Sequence, residues 1–257
     1  MRFHNQTAIV TGGATGIGYA TAKRLASEGA KVVIAGRRKD TGLNAEKELR
    51  ACGLEVKFHT CDVSLEHEVD ALIGFTKETY GSLDILVNNA SMSNTIEFMS
   101  PDTEKWKQVF DVTVNGTYYC SRSAARIMEE QGKGGRIINV SSINGYRAAE
   151  GTSHYNAGKG AMDQLTRCMA MELSPLGILV NGVAPGFVDT PMSIVDGENE
   201  LDSEWFRSIY VERRKIPVQR AGQPEEIANV IAFLASREVS YMCGVIIPVD
   251  GGLSITF

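Results

Sequence analysis

"TAIVTGGATGIG", residues 7–18, is an apolar run that breaks into glycines and resumes with helical spacing. Gly12 permits a tight turn after a strand. Gly16 and Gly18 let backbone and helix approach a pyrophosphate at the positive N-terminus of the helix. A glycine loop alone is weak evidence, since it also occurs as a plain structural turn. Here it follows the first strand candidate, opens the first helix candidate and lies in a βαβ unit of about 30 residues, the context that dinucleotide binding requires.

Outward from that unit, short runs rich in Val and Ile alternate with amphipathic stretches. The strand candidates are 7–12, 31–36, 55–62, 83–90, 136–142, 178–185 and 244–250. Several are apolar at consecutive positions, as strands buried on both faces are. Helices are expected over 16–28, 41–52, 65–80, 103–131, 155–175 and 224–236. Strands alternating with helices imply an α/β, doubly wound, mainly parallel sheet of seven strands with helices on both faces. The whole chain, 1–257, reads as a single domain. Residues 186–223 mix acids, aromatics, Gly and Pro, and suit a lid over a site.

Composition excludes several classes. Hydrophobic content of 43% and charged content of 22% are ordinary for a soluble core-forming protein. The net charge of −5, with no basic stripe, gives no footprint for nucleic acid. No apolar stretch approaches the roughly 18 residues of a membrane span, and no signal-peptide pattern opens the chain. The five cysteines are scattered, and the histidines do not cluster with them. The expectation is a cytoplasmic, metal-free protein with free thiols.

In an NAD site an acid ends the second strand and accepts hydrogen bonds from the ribose 2′-hydroxyl. Here "IAGRRK" puts Gly36 in that place, followed by Arg37 and Arg38. A guanidinium suits a 2′-phosphate, so NADP(H) is favoured through Arg37, with NAD(H) possible if both arginines simply face solvent.

"SHYNAGKG", 153–160, sets Tyr155 and Lys159 four apart, on one face of a helix. An ammonium beside a phenol stabilises the phenolate, which makes it usable for proton transfer near neutral pH. Taken alone, the pair reads first as a half-buried aromatic and a solvated lysine, since this spacing is common by chance.

With T-G-x-x-x-G-x-G at 11–18, "CDVS" at 61–64, "NNAS" at 88–91, "NVSS" at 139–142, Tyr155 with Lys159, "APGFVDTP" at 184–191 and "DGG" at 250–252, the chain resembles the short-chain dehydrogenase/reductase family over Thr7 to Gly252. The resemblance implies a Rossmann-type fold, a homotetramer or dimer, and hydride exchange between a nicotinamide and an alcohol or carbonyl. It implies Tyr155 as general acid/base, Lys159 lowering its pKa and holding the nicotinamide ribose, and Ser142 bonding the substrate oxygen. For the cofactor it implies Gly12, Thr15, Gly16, Ile17 and Gly18 at the pyrophosphate, and Asp62 and Val63 at the adenine. Asn89 and Ala90 fall near the adenosine ribose, and Pro185, Gly186, Val188 and Thr190 at the nicotinamide end.

This sequence departs from the family at "DVTVNGTYYCSR". A helix asparagine usually completes a tetrad there, but anchoring on Asp111 and Gly116 gives Thr113. Asn115 lies about 200° further around a regular helix and reaches the site only through a bulge. "NNAS" carries Ser91 where glycine is usual. Gly158 stands where serine is common and suggests close helix packing, for instance at a subunit contact.

The substrate is expected to meet Ser91 to Thr95, Asn144, Tyr146, His154, Phe187, Met192 and the lid aromatics Trp205, Phe206 and Tyr210. His154 either bonds a substrate hydroxyl or packs at the helix start. The polar stretches favour a secondary alcohol of sugar or polyol type. Arg213, Arg214 and Lys215 offer a landing patch for a 3-oxoacyl thioester, or are a solvated face. A non-catalytic NADP(H)-binding protein is the rival from another class.

Overall fold

Each apolar run expected to be a strand forms one in the computed structural model, which describes residues 1–93, 95–99, 102–195 and 197–256. The strands are β1 (Thr7–Thr11), β2 (Lys31–Gly36), β3 (Val56–Thr60), β4 (Ile85–Asn88), β5 (Gly135–Val140) and β6 (Ile178–Pro185). A two-stranded antiparallel hairpin, β7 (Ile194–Val195) and β8 (Glu198–Asn199), precedes the last sheet strand, β9 (Ile246–Val249). The seven-stranded sheet has the order β3-β2-β1-β4-β5-β6-β9, and every pairing in it is parallel. Strand order reverses between β1 and β4, which opens the crevice where such sheets bind ligands.

The consecutive apolar residues have a period-two explanation. Ala8, Val10, Val32, Ile34, Ile85, Val87, Ile138 and Val140 face one core, with α1 (Gly16–Ser27), α2 (Lys39–Ala51) and, from the far end of the chain, α8 (Pro224–Ala235). Ile9, Val33, Ala35, Leu86 and Ile137 face the other, against α3 (Glu66–Tyr80), α5 (Gly116–Gln131) and α6 (Ser153–Leu173). Full burial of each such side chain is worth about 1.5–3 kcal/mol, so a one-residue slip of register would transfer every contact to the wrong layer.

The stretch 103–131, expected as one helix, is interrupted. α4 (Thr103–Phe110) leads into a π-helical turn, Asp111–Asn115, before α5 begins. One residue too many is accommodated there, and the two halves rotate relative to each other.

The segment 186–223 is more ordered than its composition suggests. It holds the small hairpin, short 3₁₀ turns and α7 (Glu204–Phe206), which continues as a π turn over Arg207–Glu212. Phe187, Phe206 and Tyr210 pack ring on ring with centroids 4.7–5.3 Å apart. They form a separate small core with Ile143, Ile216 and Leu253. Asp189 N–H donates to the Gly222 carbonyl and Gly222 N–H to the Phe187 carbonyl, pinning the two ends of the segment together. Asp196, within it, lies outside the described residues.

Candidate active site

The glycine loop joins β1 to α1, and its shape requires the glycines. Gly12 and Gly16 have φ of 63° and 54°. A Cβ on Gly18 would run into the Gly12 carbonyl oxygen and lie 2.5 Å from Asn89 Nδ2. Thr15 sits extended at the N-cap of α1 with no side-chain bond to the helix, and no acid occupies the first turn. The amides that follow it are left for an anion. Asn89 Nδ2 donates to the Thr11 and Gly12 carbonyls at 2.9 and 3.2 Å, while Thr11 Oγ1 accepts from the Asn89 and Ala90 amides. The Asn89 side chain therefore braces the loop. At the other end of the chain, Thr190 approaches Gly16 closely enough that a Cβ there would sit 3.2 Å from its own Cβ. Pro185 ends β6, and Gly186 and Val188 follow it beyond the strand's C-terminal end.

Gly36 ends β2 with open space around it, and Arg37 follows with its side chain largely in solvent. Its guanidinium lies 3.7 Å from Asp62 Oδ2. Asp62 is otherwise held by Ser64, whose amide and hydroxyl both donate to Oδ1. Val63 turns its side chain into the core against Gly116. These residues, the glycine cradle above all, fit a dinucleotide with its pyrophosphate at the start of α1 and its adenosine toward Arg37 and Asp62.

The proton-transfer candidates gather across the crevice. Ser142 follows β5 and caps a 3₁₀ turn, Ile143–Gly145, by accepting the Asn144 amide at 3.1 Å. That leaves its hydroxyl proton to donate, and its influence on Tyr155 favours the phenolate. Burial outweighs this and holds the Tyr155 pKa above the ordinary tyrosine value. Lys159 Nζ lies 5.5 Å from the centre of the Tyr155 ring and donates to the Val140 carbonyl at 2.8 Å. Burial pushes its own pKa down to about 7. The expected lowering of the tyrosine by the lysine is absent from this arrangement, because the ammonium points to the backbone of β5 instead.

Below these groups runs a buried polar chain that the sequence reading did not single out. Asn88 Nδ2 donates to Asn139 Oδ1 and to Ser121 Oγ, both at 2.9 Å. Asn139 Nδ2 donates to Thr166 Oγ1 at 2.8 Å. It ties the ends of β4 and β5 to α5 and α6, and so sets Ser142 at a fixed height against Tyr155. Asn88 and Asn139 open the quoted "NNAS" and "NVSS" motifs; a polar residue ending an apolar strand was the available signal.

The fourth position resolves in an unexpected combination. The π turn is present, yet it presents Thr113. Thr113 is fully buried, with Oγ1 3.4 Å from Ser91 Oγ. Asn115 is exposed and donates to Asp111 Oδ1 at 2.9 Å. Gly158 faces Thr113 and Val109 of the same chain, so the close approach is internal. A Cβ at Gly158 would sit 3.7 Å from Thr113, ordinary contact. Gly158→Ala is therefore expected to stabilise the fold by about 0.5–1 kcal/mol, measured as a raised denaturation midpoint with unchanged slope.

His154 is a correction. It is fully buried, so no substrate hydroxyl reaches it. It begins the inward stripe of α6 that continues through Gly158, Met162, Thr166 and Ala170, and that four-residue spacing was legible in the sequence. Ser91, Ser93, Thr95, Asn144 and Tyr146 are at least partly accessible, and Met192 and Trp205 are about half exposed. Asn94 lies outside the described residues. Phe206 is spent on the small core of the segment 186–223, with only 3% exposed.

The profile of a family described as enoyl-(acyl carrier protein) reductase matches residues 12–254. A 3-oxoacyl-[acyl-carrier-protein] reductase, FabG, of Chlamydia muridarum is 36% identical, over 97% of this chain and 98% of the relative. A 3alpha-hydroxysteroid dehydrogenase of Mediterraneibacter gnavus is 38% identical, over 98% of each. The crystal structure of a short-chain type dehydrogenase/reductase from Mycobacterium marinum superposes with a TM-score of 0.90 at 33% identity, covering 98% of this chain and 96% of that one.

Proposed function

The chain belongs to the short-chain dehydrogenase/reductase family, and from that premise we propose that it interconverts a secondary alcohol of sugar or polyol type with its carbonyl, preferring NADP(H). It is an NAD(P)-dependent oxidoreductase of that family. The observation that carries the reading of the reaction is the Lys159 Nζ 5.5 Å from the centre of the Tyr155 ring, with the Ser142 hydroxyl at the end of β5 left to donate.

The glycine loop and the first turn of α1 would hold the pyrophosphate, with Asp62, Val63, Asn89 and Ala90 on the adenosine. Pro185 to Thr190 would flank the nicotinamide, and Tyr155 and Lys159 its ribose. The cofactor supplies or accepts the hydride. In reduction Tyr155 gives its phenolic proton to the substrate oxygen as that oxygen gains charge, and is left as phenolate. Ser142 donates to the same oxygen and stabilises that charge. In oxidation both movements reverse.

Arg37 supports NADP(H): it follows the open end of β2 at Gly36 with its guanidinium largely in solvent, where a 2′-phosphate would replace its loose 3.7 Å pairing with Asp62. Arg37→Ala is expected to weaken NADPH binding by about 10-fold or more, the worth of one charge-assisted contact, and to leave NADH nearly unchanged. Fluorescence titration of both cofactors measures this. Equal losses for the two would remove the preference.

The polar rim of Ser91, Ser93, Thr95, Asn144 and Tyr146 supports a hydroxylated substrate. A second reading, reduction of a 3-oxoacyl thioester, draws on the FabG relative and on Arg213 and Arg214, both exposed at the end of the lid. Nicotinamide absorbance across sugars, polyols, simple secondary alcohols, ketones and 3-oxoacyl thioesters separates them. Turnover confined to the thioesters would replace the first reading with the second. The family implies a homo-oligomer, a dimer or tetramer, for the working enzyme.

A further inference from the structure

Asp62 is anchored on three sides. Its Oδ1 accepts the amide of Ser64 at 3.0 Å and the Ser64 hydroxyl at 2.7 Å. Its own amide donates to Glu68 Oε2 at 2.7 Å, and its carbonyl accepts from the Leu65 amide. One residue earlier, the Cys61 amide donates to the carbonyl of Gly36, the residue before Arg37. Gly36 is also the register partner of Thr60. The ends of β2 and β3 are therefore tied together by backbone, and Arg37 and Asp62 leave them side by side.

With Oδ1 occupied, Oδ2 is the oxygen that meets Arg37, 3.7 Å from Nη1. The arginine side chain is 58% exposed and the aspartate side chain 24%. An ion pair this open to water is weak, so it detains the guanidinium without locking it. The two partners are also unequal. The carboxylate is fixed by Ser64, whereas the long arginine is free to turn to another anion.

We propose that Asp62 sets how sharply this protein discriminates between the two nicotinamide cofactors. Its carboxylate competes with a 2′-phosphate for the Arg37 guanidinium, which holds the preference for NADP(H) down and keeps NAD(H) usable. The proposal rests on the placement of the 2′-phosphate at Arg37 given above. A phosphate carries more charge than one carboxylate and offers three acceptor oxygens. It therefore wins the arginine, but only by breaking the pair. The 2′-hydroxyl of NAD(H) makes no such demand and leaves the pair in place. A contact between Asp62 and the adenine is common to both cofactors and cancels in the ratio of their affinities.

The test compares wild type with Asp62→Asn, which keeps the size and an oxygen for Ser64 but removes the charge. Fluorescence titration with NADPH and NADH gives the ratio of their dissociation constants. Competition by adenosine 2′,5′-bisphosphate and by AMP gives the same comparison without a nicotinamide. In both, preference for the 2′-phosphorylated ligand is expected to rise about two- to fivefold, the span of an exposed ion pair. Asp62→Ala is expected to shift the ratio in the same direction, although affinity for both ligands falls. In an Arg37→Ala background, Asp62→Asn is expected to leave the ratio where it was, since no guanidinium remains to compete for.

An unchanged ratio in both Asp62 variants, where Arg37→Ala alone lowers it, would overturn the proposal and leave the NADP(H) reading standing. A rise of full size without Arg37 would also overturn it, by showing repulsion of the phosphate rather than competition for the arginine. A ratio that Arg37→Ala does not lower would refute the placement of the 2′-phosphate, and the proposal with it.

Discussion

Tyr155→Phe is expected to lower kcat by about 10³-fold, within the range that general acid–base groups contribute. NADPH affinity is expected to stay within about threefold of wild type. The phenol oxygen is the one atom removed, while the ring keeps its packing and its distance from Lys159. The neighbouring Ser142 hydroxyl cannot substitute, since a serine has no accessible ionised form and its oxygen already accepts the Asn144 amide. Stopped-flow mixing of the variant with NADPH and a turned-over carbonyl reads binding and chemistry separately. A variant that retains a tenth of the wild-type rate would show that the proton comes from elsewhere.

The second large effect lies at Gly18. A valine there would meet the Gly12 carbonyl oxygen and Asn89 Nδ2. Neither neighbour can give way, because Asn89 is held by the Thr11 and Gly12 carbonyls, and its amide by Thr11 Oγ1. The loop must open, and the amides at the start of α1 lose their common aim. Gly18→Val is expected to weaken NADPH binding by at least about 100-fold, roughly the loss of two charge-assisted backbone contacts. It also costs about 1–3 kcal/mol of stability through overpacking. Titration of the cofactor and of denaturant measure the two. Binding within tenfold of wild type would mean that the loop does not carry the pyrophosphate.

The sheet was legible because its strands are buried on both faces. Ala8-Ile9-Val10 and Val32-Val33-Ile34 can be apolar at every position only when each side meets its own core. Strand ends were less legible. The runs at 55–62 and 83–90 were read as longer than Val56–Thr60 and Ile85–Asn88. Of the surplus residues, Asp62, Asn89 and Ala90 are coil beyond the strands' C-terminal ends.

The helix at 103–131 concealed its π turn, since nothing in "DVTVN" marks an inserted residue. Periodicity within a window assumes a constant 3.6 residues per turn, so the facing of Thr113 and Asn115 depended on a feature set by packing against Gly158. The segment 186–223 follows the same logic. Phe206 and Tyr210 read as substrate contacts by composition, whereas ring-on-ring packing with Phe187 commits them to a small core of that segment. Ile143, next to Ser142, belongs to the same core.

Described side chains and comparisons together leave one claim at the centre: a nicotinamide hydride reaches a carbonyl carbon while Tyr155 protonates the oxygen. Mass analysis of the alcohol formed from a turned-over carbonyl with NADPH deuterated at the transferring carbon tests it most directly. One deuterium on the new carbinol carbon, lost from the products when Tyr155→Phe replaces the wild type, is the predicted result. An alcohol without deuterium at that carbon, or tight NADPH binding with no alcohol formed from any carbonyl in the panel, would contradict it.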